Sequence, residues 1–200
     1  WPEAASLELP QRDQWSRYPF VAALFEYAHA LGRAHTGDVD GARAAIARMQ
    51  ALHDATTEPK FDYFKRHLEV QIKAANAWIA HAGGRDDEAI AALSAAAETE
   101  DALGKHPVTP GALMPVREQL GSLLLEVDKP GLALDAYEAA LKTYPGRYRA
   151  LYGAGLAAER KGNAEVARDY YGKLVQQAGK SQRPELAHAR DFLGAKVAAR

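Results

Sequence analysis

Residues 120–145 read LGSLLLEVDKPGLALDAYEAALKTYP, and residues 154–171 read AGLAAERKGNAEVARDYY. In the first stretch Leu120-Gly121 is followed by Leu124, then Ala133, Tyr137, Ala140 and a closing Pro145. A shift of 34 residues carries Gly121 onto Gly155, Ala133 onto Ala167 and Tyr137 onto Tyr171. The internal spacing also extends upstream. Twelve residues separate Ala30 from Ala42, Ala77 from Ala89, Gly121 from Ala133 and Gly155 from Ala167. A large apolar residue follows four later each time, at Ile46, Leu93, Tyr137 and Tyr171. Small residues let two antiparallel helices approach, and the large one fills the space between units.

A 34-residue period with a small residue after leucine, an alanine four before an aromatic and a closing proline resembles the tetratricopeptide repeat. The sequence departs from that pattern at Leu124 and Ala158, where the family prefers tyrosine, and at Arg117 and Leu151, where it prefers tryptophan. The resemblance implies an all-α, right-handed superhelical solenoid of about four helix hairpins with a C-terminal capping helix. It implies a scaffold for a protein or peptide rather than an enzyme, with no cofactor, no nucleic acid and no membrane. The chain also resembles the C-terminal part of bacterial tetratricopeptide proteins with an H-P-V-T-P-G connector, here at 106–111.

The second-helix alanines step by 47, 44 and 34 residues, so the first two units carry extra length. Phe61, Phe64, Leu68 and Ile72 recur at helical spacing, which assigns the first surplus to a longer helix. Lys105 to Gly111 holds two prolines and a glycine and reads as an ordered connector. One repeat domain over 1–200 is expected, with units at 19–54, 59–103, 112–145 and 147–178 and a cap at 183–198. The hairpin partners are 19–36 with 39–54, 59–83 with 86–103, 112–128 with 131–143, and 147–161 with 164–178. Turns are expected at Gly37-Asp38, Gly83-Gly84, Pro130-Gly131 and Gly162-Asn163. Residues 1–8 resemble a lone second helix, with Ala4 in the role of Ala42. That reads as the remnant of a preceding repeat, with apolar surface left open at that end.

Composition fits. Hydrophobic residues make up 48% of the chain, and alanine and leucine, both good helix formers, dominate. The lack of cysteine excludes disulfides and thiolate sites. No apolar run nears the roughly 18 residues of a membrane helix, and no targeting segment is visible, so cytoplasm and periplasm both stay open. Charge is uneven: residues 1–141 hold 13 basic and 21 acidic residues, residues 142–200 hold 12 and 5. Solvated helix faces account for this, and a basic end meeting an acidic or phosphate-bearing partner is the sharper alternative.

Motifs for chemistry are weak. Gly179-Lys180-Ser181 lacks the earlier glycine of a phosphate-binding loop, since Leu174 stands there. The seven histidines form no H-E-x-x-H and no helical pair three or four apart. His67 and His81 share nearly one face but lie roughly 21 Å apart. No metal site is expected. Asp38, Asp40, Asp86 and Asp87 fall at helix starts, where they cap amides. No G-x-S-x-G or G-x-G-x-x-G occurs. Tyr144 to Arg149 is the densest aromatic and basic cluster. It reads as an inter-repeat turn or as an anion contact through Arg147 and Arg149.

In the tetratricopeptide family the first helices of successive units line a concave groove. Residues three before, one after and four after the small anchor lie within about 60° on one face. That face holds Tyr27, Leu31 and Ala34; Ala74, Trp78 and His81; Glu118, Ser122 and Leu125; Tyr152, Leu156 and Glu159, with Arg149 beside it. The expected groove residues are Tyr27, Trp78, His81, Glu118, Ser122, Arg149, Tyr152 and Glu159, with Trp78, Tyr152 and Arg149 as anchors. The repeated lysines and asparagines of a C-terminal carboxylate clamp are missing. Three alternatives remain: a module packed on a preceding region by its own residues, a homodimer, or part of an enzyme or metal site lined by His29, His35 or His81.

Overall fold

The computed structural model describes residues 1–8, 15, 17–104, 112–179 and 181–194. Among them the protein is all-α, with ten helices and no strand. They are α1 (Pro2–Ala5), α2 (Pro19–His35), α3 (Val39–Ala55), α4 (Asp62–Ala82), α5 (Asp86–Leu103), α6 (Val116–Glu126), α7 (Pro130–Thr143), α8 (Tyr148–Arg160), α9 (Ala164–Ala178) and α10 (Pro184–Gly194). The expected connector at 105–111, and residues 195–198 of the expected cap, lie outside the described residues.

Contacts group the chain into two compact units, Trp1–Pro107 and Val108–Arg200. In the first, α2 packs on α3 and α4 on α5, while α4 also lies against α2 and α3. In the second, α6 packs on α7 and α8 on α9; α8 also lies against α6 and α7, and α10 covers α9 and α8.

Local chemistry sets the hairpins. Asp38 caps α3 by accepting from the Gly41 amide at 2.9 Å, and Asn163 caps α9 through Val166 at 3.2 Å. Three hairpin turns pass through the left-handed region at Gly37, Gly84 and Gly162, where glycine meets no steric cost. The turn between α6 and α7 differs from the sequence expectation. It pivots on Asp128, at φ 55°, and Pro130-Gly131 lies inside α7. Aspartate tolerates that conformation, and Pro130 at the first helical position gives up an amide the helix does not use. Likewise α6 begins at Val116 rather than 112, since proline disfavours helical backbone at the residue before it and Pro115 is extended, at ψ 140°.

The spaced alanines form the core: Ala42, Ala89, Ala133 and Ala167 are all buried. Leu93, Tyr137 and Tyr171 are buried four residues on, whereas Ile46 is half-exposed. Glycine sets how closely the helices of the second unit approach. A Cβ on Gly121 would meet the Tyr137 ring at 2.8 Å; one on Gly153 would overlap the same ring, and one on Gly155 would overlap Tyr171. Overpacking such contacts is costly, so Ala133→Leu and Ala167→Leu should each lose about 1–3 kcal/mol. Urea titration followed by circular dichroism measures this, and unchanged midpoints in both variants would contradict the packing.

Candidate functional site

The eight expected groove residues divide by unit. In the first unit Tyr27 and Trp78 are buried, 3% and 1% exposed. The C-terminal ends of α2 and α4 are filled by a ring stack. Trp1 lies on His35 at 3.8 Å, and His35 lies on Trp78 at 4.1 Å. His81 meets the edge of Trp78 at 5.7 Å and bonds Asp86 at 2.7 Å through Nδ1. Trp78 is therefore core here rather than an open anchor. Gly32 makes room for α1, because a Cβ there would strike the Ala4–Ala5 backbone. The carbonyl of Leu7 holds His29, which also meets Glu26 at 3.3 Å. Trp1 and Leu7 stay partly exposed, 40% and 43%. His35 and His81 thus share Trp78, while His29 is held apart from them by Leu7 and Glu26.

In the second unit the remaining residues converge. A cleft of about 430 Å³ opens between α6, α8 and α10, and Glu118, Ser122, Arg149 and Tyr152 all line it. Leu125, Leu156 and Gly153 supply apolar lining, and Tyr137, Tyr148, Arg160, Glu126 and Glu185 complete the wall. Glu159 does not line it; its carboxylate accepts from the Tyr171 hydroxyl at 2.7 Å and lies 3.4 Å from His188 Nε2. The other His188 nitrogen meets the Tyr152 hydroxyl at 3.1 Å. This chain of polar contacts ties α8, α9 and α10 together.

Glu118 is 1% exposed and is neutralised by Arg147, whose guanidinium pairs with the carboxylate and also donates to the carbonyls of Leu113 (3.1 Å) and Ala112 (3.3 Å). Arg147 is thus a positioning group for the start of α6, while Arg149 is exposed on the cleft. The Tyr137 hydroxyl meets Ser122 Oγ at 3.0 Å. Burial pushes that phenol up to about 12, with the Ser122 bond opposing the shift. Burial also raises the Tyr148 and Tyr152 phenols, and the negative charge of Glu185 raises both further.

Sequence reasoning missed Glu185. One further step of 34 from Gly155 lands on Ala189, which is buried. That step would have placed α10 beside α8 as the next helix on the same face. Among the described residues no group of three or more His, Asp or Glu side chains could hold a metal ion, and no helix is long and apolar enough to cross a membrane.

A family model described as the tetratricopeptide repeat matches residues 119–182. No curated protein gives a significant match to the chain. The matched stretch runs through α6, α7, α8 and α9, the helices whose glycines and tyrosines carry the 34-residue period. Residues 119–182 thus match the tetratricopeptide repeat, which in general serves as a protein-interaction scaffold.

Proposed function

We propose that the protein is a binding scaffold that takes a protein or peptide partner in the cleft between α6, α8 and α10. The observation that carries this reading is convergence. Four residues chosen from a periodic pattern, Glu118, Ser122, Arg149 and Tyr152, line one open cleft. The lining mixes aromatic and aliphatic surface with a few charges, the composition of a peptide contact more than of a core. The first unit supports a different role, because its corresponding face is closed by Trp1, His35 and Trp78. There the filled surface favours a structural module.

The test uses peptides selected from a random displayed library on the full chain. Arg149→Ala with Tyr152→Ala should weaken their binding by about tenfold or more, about 1.4 kcal/mol, with helicity retained. Undiminished binding to that folded double variant would remove the cleft as the site.

A further inference from the structure

Within the proposed peptide cleft, the hydrogen-bond needs are lopsided. Most of the donors are engaged. Arg147 is spent on Glu118 and two carbonyls, Arg160 donates to the Leu125 carbonyl at 2.8 Å, and Arg149 has a partner within the protein. The Tyr137 and Tyr152 hydroxyls are paired with Ser122 and His188. Two oxygens are left over. Glu185 Oε2 and Tyr148 Oη are both shielded from solvent and have no hydrogen-bond partner among the described residues. Both residues line the cleft. A carboxylate oxygen can only accept, and a phenol oxygen can accept as well as donate. Leaving such groups unpaired is costly; the Glu185 oxygen can be satisfied only by a donor, and the Tyr148 oxygen can accept from the same one.

We infer that the cleft takes a cationic side chain of the partner, arginine or lysine, whose N–H groups bond Glu185 and Tyr148 while its charge lies against the tyrosine rings. A cation carries donors and no acceptors, which matches two acceptor oxygens. Tyrosine faces attract cations, and Arg183 of this chain already holds its guanidinium 4.9 Å from the Tyr148 ring centre. The charge balance permits it. With Glu118 neutralised by Arg147, two carboxylates, Glu126 and Glu185, face two guanidiniums, Arg149 and Arg160, so the lining carries no net positive charge against a cation. A guanidinium fits best, because its planar fork can address two oxygens at once.

This inference rests on the peptide-binding reading, and the experiment separates the two. The full chain, labelled with nitrogen-15, is titrated with the acetylated methylamides of arginine, lysine, citrulline and glutamate. Saturable shifts at Tyr148, Tyr152 and Glu185 with arginine are expected, and Glu185→Gln should weaken them by about fivefold or more, as loss of a charge-assisted bond requires. Lysine binding as tightly as arginine also supports the inference, and shows that charge matters more than planarity. Citrulline or glutamate binding as well as arginine, shifts elsewhere, unchanged binding by Glu185→Gln, or no binding at millimolar arginine would each overturn it. If library peptides without a basic residue occupy the cleft, the cationic preference fails and the peptide-binding reading stands. If no peptide binds there, that reading fails too.

Discussion

Trp78→Ala is expected to destabilise the protein by about 3–5 kcal/mol, the range for removing a large buried aromatic. The indole is 1% exposed, and its loss would leave His35 and His81 facing a cavity at the C-terminal end of α4. The stack would also lose the ring against which His35, and Trp1 upon it, is packed. Urea unfolding followed by far-ultraviolet circular dichroism gives the number, and a midpoint within error of the parent would show that the indole is not core. The substitution therefore has no place in a binding test, because lost capture would report unfolding.

Arg147→Leu is expected to cost about 3–5 kcal/mol at neutral pH, the range for breaking a buried ion pair from one side. The variant leaves the Glu118 carboxylate, 1% exposed, without its cation, and the carbonyls of Ala112 and Leu113 without their donor. Arg147 itself is 28% exposed, so water entering beside Glu118 places the effect toward the lower end. The decisive comparison is the double variant Glu118→Leu, Arg147→Leu. Removing both charges leaves no orphan, and apolar replacement of a buried pair is often neutral. The double variant should recover most of the loss; equal instability of both variants would show that the pair is not what holds α6 to the start of α8.

The repeat was legible because its physics is local. A small residue and an alanine twelve apart report where two helices touch, and eight such positions, Ala30 with Ala42 through Gly155 with Ala167, are buried. Helix ends with strong caps were legible too, as Asp38 and Asn163 show. The turn at Asp128 was not, because an aspartate in the left-handed region leaves no mark that a glycine would, and Pro130-Gly131 drew the reading two residues late. The cleft was half legible. Helical phase places Ser122, Tyr152 and Arg149 on one face, but phase cannot say whether that face is open. Trp78 shares the phase and is closed over by His35 of α2, on which Trp1 lies. Glu185 escaped because α10 was read as a cap rather than as the next helix in the period.

The Tyr137 ring lies where side chains at both Gly121 and Gly153 would stand. These three positions, on three different helices, are therefore bound in inheritance. A lineage that gains a methyl at either glycine meets the ring, and one that first loses the ring inherits a hole that the glycines cannot fill. Neighbours that share one space depart from additivity, so neutral drift at either glycine is blocked while the ring persists. Change must come in a permissive order, with a smaller residue at 137 preceding a larger one at 121 or 153. A hairpin copied into another repeat array by recombination would carry its tyrosine without the second glycine, unless the breakpoint fell beyond α8. The wedge thus sets the smallest segment that can be duplicated without loss of fit, and that segment is longer than one repeat.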